Sequence, residues 1–424
     1  MPLTGIVCRL SSLRQHPNAD RLKLANASGY QVIVGPNSDE ETLGVVFPAG
    51  GQLSDEFCKY HKLYRKDPDT GEKWSGYLGE KGRVKNLKLR NAVSDGLWLE
   101  LSYLDSFGDT SKLKPGSQIG KFGDQVIFKK YAPARSHSSG SKNRSKSRRP
   151  RTEDRVPHFY RIGDTGQLRS FLYSIPEGAV INCSLKLHGT SHRTGCHLME
   201  KDLPKWKRWL FEKLDIPTSE WKKVSGTRRT VQNPDNLVDP YHGGNFRQKA
   251  HDLINPRKGE TVYCELVGYS AHETLIMPSH SPDNTGWGKQ IRKQYGQQIV
   301  YKYGCEPGEM KTFVYKITQI SPDGHETVLS PGAMRARASE MGLKCVPEIE
   351  TFIYDGDIEA LVEEMNNISG GADPIDASHP REGIVAWIDH EEMRKVLKFK
   401  GREFCFLEGI KYSDPNFIDP EDAE

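Results

Sequence analysis

No apolar run in the 424 residues approaches the length needed to span a bilayer, so a helical membrane anchor is not expected. The opening stretch MPLTGIVCRLSSL lacks a basic start followed by a long apolar core, and no secretory signal is read there. The eight cysteines are scattered at Cys8, Cys58, Cys183, Cys196, Cys264, Cys305, Cys345 and Cys405, and none forms a C-x-x-C pair. That spacing argues against structural zinc and fits an intracellular protein with reduced thiols. There is no internal repeat and no G-x-x-x-x-G-K-[ST], which excludes a P-loop nucleotide site.

What is present is a globular balance, 36% hydrophobic and 27% charged residues, in a chain long enough for two domains and a linker. The net charge of +4 is unevenly placed. Between residues 131 and 157 stand Arg135, Lys142, Arg144, Lys146, Arg148, Arg149, Arg151 and Arg155 against only Glu153 and Asp154, so the remainder of the chain is slightly acidic. Within that stretch Ser136–Arg151 has nothing apolar to bury and is expected to be a disordered tether, suited equally to solvent or to phosphate contact.

Before the tether, Gln31–Val34, Leu43–Phe47 and Gly96–Leu101 read as short strands between turn residues, the pattern of a small barrel. His16–Leu24 reads as a loop entering a strand, and 82–90 with 94–97 as a strand pair. These pieces resemble the tRNA-binding type of OB-fold, which implies a nucleic-acid-holding module; a plain bracing barrel is the alternative. After the tether, helices are expected at Thr165–Leu172, Glu200–Leu214 and Ile358–Met365. Strands are expected at Val180–Leu185, Thr312–Ile317, Ile384–Ile388 and Val396–Lys400, the last two paired. The stripe of Trp206, Trp209, Leu210 and Leu214 reads as core.

Three motifs follow Lys186 in order: Tyr263-Cys264-Glu265-Leu266, Arg381-Glu382-Gly383-Ile384 and Leu397-Lys398-Phe399-Lys400. A lysine attacks phosphorus only when neutral, and nearby cations favour that form. Lys398 and Lys400 would supply such a field, and Glu265 and Glu382 could hold a divalent metal. Gly189 is expected to let backbone approach a phosphate or sugar. Each motif alone is weak; their order and wide spacing together point to an enzyme that attaches a nucleotide to itself.

At these residues the chain resembles the covalent nucleotidyltransferases, the polynucleotide ligases and RNA capping enzymes. The run Lys186-Leu187-His188-Gly189-Thr190 is similar to the RNA ligase 2 branch, and a barrel placed before the transferase domain is similar to RNA ligase family 5. The resemblance implies an α+β protein: an OB-fold barrel over residues 1–128, a basic linker over 129–157, and a nucleotidyltransferase (adenylylation) domain of antiparallel sheets and flanking helices over 158–424. It implies Lys186 as the nucleophile that becomes lysyl-AMP. It implies ATP contacts from His188, Gly189, Glu265, Lys398 and Lys400, from one of Arg228 and Arg229, and an adenine-stacking ring at Tyr315 with Phe313 as the second choice. Glu265 and Glu382 would hold Mg²⁺ or Mn²⁺. The implied activity is ATP-dependent sealing of RNA breaks by a monomer acting on RNA or an RNA-containing nicked duplex. A GTP-using capping enzyme, a DNA ligase and a nucleic-acid-binding protein with an inactive transferase domain remain the alternatives. His188 stands where other branches have Asp, and Leu185 where the RNA ligase 2 branch often has Glu.

Overall fold

The computed structural model describes residues 3–90, 92–131, 152–232, 245–284, 286–321 and 323–411. The Ser136–Arg151 tether lies outside them. In the N-terminal part, strands β1 (Gly5–Gln15), β2 (Lys23–Ala27), β3 (Tyr30–Val34), β4 (Leu43–Pro48) and β5 (Gly96–Glu100) form an antiparallel sheet in the order β3-β2-β1-β4-β5. Strand β1 is long enough to pair with β4 through Ile6–Arg9 and with β2 through Leu10–Gln15. Its register slips between Ser11 and Arg14, and such a slip adds twist that helps the sheet curl. The curled sheet encloses Val7, Val45, Phe47, Phe57 and Phe128. The expected strands are all present; the pair read at 82–90 and 94–97 is shorter, Leu87–Leu89 with Ala92–Ser94.

The C-terminal part has two further antiparallel sheets. The first contains β6 (Val180–Lys186). Immediately afterwards the chain enters β7 (Thr190–Glu200) of the second sheet. After a helix α1 (Lys205–Lys213), β8 (Ser219–Gly226) returns beside β7, followed by β9 (Glu260–Ala271) and β10 (Met310–Ile320). The second sheet is thus ordered β8-β7-β9-β10. The chain then re-enters the first sheet through β11 (Glu348–Ile353), α2 (Ile358–Ser369), β12 (Gly383–Asp389) and β13 (Arg394–Lys400), and ends its described part in α3 (Arg402–Lys411). The first sheet runs β13-β12-β6-β11, with Gly166–Gln167 parallel to β13 at its edge. No described helix is long and apolar enough to cross a membrane.

Helix α2 starts where Asp357 accepts hydrogen bonds from the Glu359 and Ala360 N–H groups. Its apolar face, with Leu361, Val362, Met365 and Ile368, packs on Ile181, Cys183, Ala386 and Leu397 of the first sheet. The expected helix at Thr165–Leu172 is instead a two-residue strand followed by single turns at Leu168–Ser170 and Leu172–Ser174. Gly166 pairs with Leu397, and sheet pairing outweighs a short local helical preference. The helix expected at Glu200–Leu214 begins only at Lys205, because β7 keeps pairing with β8 through Glu200↔Ser219. Its stripe is not core: no residue of α1 is buried.

Arg169 joins the barrel to the C-terminal sheets. Its guanidinium lies 4.6 Å from the Tyr30 ring centre on β3 and 4.0 Å from the Phe399 ring centre on β13. It donates to Asn366 Oδ1 at 3.2 Å, and its backbone carbonyl accepts from the Ser28 hydroxyl at 3.2 Å. A second tie runs from Arg402 Nε to Asp95 Oδ2 at 3.1 Å, and a third from Arg83 Nη2 to the Gly409 carbonyl at 3.1 Å. Both land on α3. Arg169→Ala is expected to lower stability by about 2–4 kcal/mol, because two ring faces lose their cation in a dry interface. An unchanged urea-unfolding midpoint would contradict this.

Candidate active site

Strand registers gather the motif residues before any side chain is considered. Lys186 pairs with Gly383, and Gly383 pairs with Lys400, so the ends of three neighbouring strands coincide. The chain leaves β6 at Lys186 and crosses to the second sheet within three residues. There Ser191 pairs with Glu265. The site therefore sits where the two sheets part. A cleft of about 1050 Å³ opens there, lined by Lys186, His188, Glu265, Tyr315, Glu382, Lys398 and Lys400, with Arg83, Lys85 and Tyr131 on the barrel side.

Two ion pairs organise its floor. Lys186 Nζ is 2.7 Å from Glu382 Oε1, and the Glu382 residue is only 3% exposed. Burial raises the Glu382 carboxyl above the usual carboxylate range, against the opposing pull of Lys186 and Lys400. Lys400 Nζ is 2.6 Å from Glu408 Oε1 on α3. Burial alone would lower Lys400; Glu408 and Glu382 outweigh it and hold the ammonium above its ordinary value. Glu382 Oε2 is buried and accepts no hydrogen bond, which at about 1–3 kcal/mol is a costly arrangement unless a cation or donor is to be met there.

Gly383 follows Glu382 with φ +147°, and a Cβ there would lie 2.2 Å from the Phe399 carbonyl oxygen. Only glycine lets β12 start this close to β13. Gly189 also permits a close approach of two strands. A Cβ on it would meet the Leu266 carbonyl at 2.4 Å and Glu265 Cγ at 2.9 Å. It lets the turn after Lys186 press against β9 and is not among the residues lining the cleft.

His188 is turned partly inward. Its backbone N–H donates to Tyr303 Oη at 2.6 Å, and its ring stands edge-on to Tyr301 and Phe404 at 4.9 Å each. Nδ1 lies 3.9 Å from Glu382 Oε2. Glu265 accepts from the Ser191 hydroxyl at 3.3 Å. Burial and the neighbouring Glu265 charge push the Tyr315 hydroxyl well above its ordinary value.

Phe313 and Tyr315 part company. Tyr263 pairs with Lys316 but Cys264 with Val314, so Tyr315 is the extra residue of a bulge. The bulge breaks the two-residue alternation that would put both rings on one face. Phe313, 5% exposed, is packed with Leu185, Leu187 and Val267 in the core, while Tyr315 lines the cleft. Of the two arginines, Arg228 lines the cleft and pairs with Asp164; Arg229 is not among the lining residues.

Sequence reasoning missed Glu408, Asp164 and Arg247. Arg247 is fully buried and donates to the Ser191 carbonyl and to Thr190 Oγ1, both at 3.0 Å, which braces the start of β7. None of the three lies in a motif. The only available signal was the spacing of Glu408 eight residues after Lys400, across the turn into α3.

No protein-family model matches the sequence. No curated protein matches it by sequence. Among solved structures, the fold is similar to that of Naegleria gruberi RNA ligase. An apo variant of that protein aligns with TM-score 0.57 at 12% identity over 95% of this chain and 97% of the other. This chain has an RNA-ligase-like fold. A lysine-to-methionine variant with AMP and Mn aligns with TM-score 0.57 at 13% identity over 95% and 98%. A lysine-to-alanine variant with ATP and Mn gives 0.56 at 13% over 97% and 98%. The likeness spans both the barrel and the paired sheets, in the order expected from the sequence.

Asp373, ahead of the Arg381-Glu382 motif, is 1% exposed, and burial pushes its carboxyl up to about 6. The folded state therefore holds a proton between pH ~4 and ~6 that the unfolded state has released, so this group makes stability fall as pH rises through that window. Asp373→Asn is expected to flatten that fall, a difference of about 2–3 kcal/mol between pH 4 and pH 7 at most. Urea midpoints of both proteins at the two pH values test it; parallel profiles would refute it.

Proposed function

We propose that the protein is an ATP-dependent RNA ligase that seals breaks with a 3′-OH and a 5′-phosphate, in RNA repair. The observation that carries this reading is Lys186 Nζ held 2.7 Å from the buried Glu382 beside Lys400, at the floor of a cleft large enough for a nucleotide. The likeness to Naegleria gruberi RNA ligase supports it. The reading keeps the division of the chain at 1–128, 129–157 and 158–424, and a monomer as the working form.

In this reading Lys186, once neutral, attacks the α-phosphorus of ATP. A nitrogen–phosphorus bond forms, the bond to the bridging oxygen breaks, and pyrophosphate leaves. The proton released from the lysine has an acceptor within hydrogen-bond reach in the Glu382 carboxylate. Lys398 and Lys400 face the cleft from one strand and stabilise charge on the α-phosphate. Tyr315 offers the ring for the adenine, and Arg228 is the arginine placed to reach the nucleotide. AMP then passes from Lys186 to the 5′-phosphate of the RNA, and a 3′-OH displaces it to close the phosphodiester.

The orphaned Glu382 Oε2 and the carboxylate of Glu265 on the facing sheet make an oxygen donor set suited to Mg²⁺ or Mn²⁺. When bound, such an ion would supply positive charge that offsets the phosphate charge. His188, wedged between rings with Nδ1 3.9 Å from Glu382 Oε2, flanks that carboxylate. Gly189 serves the same site indirectly, by seating the loop.

Incubation with α-labelled ATP and Mg²⁺ should give a protein band that carries label on a denaturing gel, absent in Lys186→Ala. Glu382→Gln should reduce the labelling rate by about 100-fold or more, with the fold intact by circular dichroism. Label from GTP alone would move the reading to RNA capping. Sealing of DNA nicks in preference to RNA ends would move it to DNA ligation. No label from either nucleotide would leave a binding module.

A further inference from the structure

The helix α1 interrupts the hairpin of β7 and β8, and its apolar stripe faces outward. Trp206 is 63% exposed and Trp209 60%, with Leu210 and Leu214 along the same side. On the neighbouring edge strand Trp221 is 43% exposed. Three large indole rings left to solvent on one helix and the strand that follows it are unusual, since such area is normally buried. The inner side of the helix is already satisfied. Arg208 pairs with Glu200 at 3.0 Å, Lys201 Nζ lies 5.9 Å from the Phe211 ring centre, and the Ile216 N–H bonds to the Phe211 carbonyl.

Each exposed indole carries an ammonium against it. Lys207 Nζ is 5.4 Å from the Trp206 ring centre, Lys213 Nζ is 5.0 Å from that of Trp209, and Lys258 Nζ is 5.7 Å from that of Trp221. The helix holds Lys205, Lys207, Arg208 and Lys213 against the single acid Glu212. The rings call for a flat apolar partner and the ammoniums beside them for an anionic one. An unpaired nucleic-acid strand meets both needs: a base stacks on each ring, and its phosphates sit against the lysines. Duplex bases are already stacked, so the complementarity is to a single strand.

The position suits a substrate of the same site. Trp221 stands near the start of β8, and beyond the end of that strand the chain delivers Arg228 to the cleft. Seven residues at about 3.3 Å each put the tryptophan patch roughly 20 Å from Arg228. We infer that the tryptophan–lysine face of α1 and β8 is a second contact for single-stranded RNA, several nucleotides from the break to be sealed. This inference rests on the ligase reading above and deepens it.

The test uses the full chain, its W206A/W209A and K207Q/K213Q variants, and a short fluorescein-labelled single-stranded RNA. Label transfer from ATP to Lys186 should be the same in all three proteins. RNA affinity by anisotropy should fall about tenfold or more in W206A/W209A. Indole fluorescence of the parent should be quenched by unlabelled RNA, and this quench should largely vanish in W206A/W209A. In K207Q/K213Q the slope of log affinity against log salt should shrink by about 1.4. RNA affinity and quench unchanged in both variants, with self-labelling intact, would overturn the inference and leave the ligase reading standing. Sedimentation with phosphatidylserine vesicles that is lost in W206A/W209A, with RNA affinity unchanged, would overturn it in favour of a membrane surface. Absent self-labelling in the parent would sink the ligase reading, while the anisotropy series would still decide what the tryptophan face holds.

Discussion

The pairing of Lys186 with Glu382 is the constraint around which the rest is arranged. A carboxylate this deeply buried is expensive, and its charge is tolerated only because an ammonium stands 2.7 Å away and Lys400 adds a second positive charge nearby. That arrangement requires three strand ends to coincide, which the registers Lys186↔Gly383 and Gly383↔Lys400 provide. It also requires Gly383, since any Cβ there would collide with the neighbouring strand. Beneath the pair, Leu185, Leu187, Tyr301, Tyr303 and Phe404 form a dry floor that keeps the loop from relaxing into solvent.

The barrel is tied to this arrangement through few but well-placed contacts. Arg169 is clamped between an aromatic ring of each part, and Asp95 and Arg83 of the barrel hold α3 by its first residue and by Gly409. Glu408 of the same helix pairs with Lys400. The helix is thus shared: Arg402 and Gly409 answer to the barrel, and Glu408, beside Gly409, to a cleft lysine. The barrel therefore bears on the Lys400–Glu408 pair by setting where α3 lies.

Much of the site was legible in the sequence because its motifs are local. Lys186, Glu265, Glu382, Lys398 and Lys400 each sit on or beside a short strand with clear β character, and all five line one cleft. What was not legible depends on contacts between distant segments. A bulge at Tyr315 sends Phe313 to the core, and no local pattern announces it. The choice of Arg228 over Arg229 for the cleft follows from Asp164, more than sixty residues earlier in the chain. The Trp206 stripe has the period of a core helix, yet the strands it connects already have their partners, so the helix is left on the outside.

The sequence by itself determined the order of a barrel, a basic run and a two-sheet part, and the identity of one lysine and two carboxylates that could share a site. It did so because strand pattern and motif order are properties of short segments. Only the tertiary structure decided that Glu382 is buried with one oxygen unanswered, that Gly189 packs against β9, and that Glu408 pairs with Lys400. Those facts depend on which side chains exclude water from which charges, and that is settled when the sheets and α3 close together.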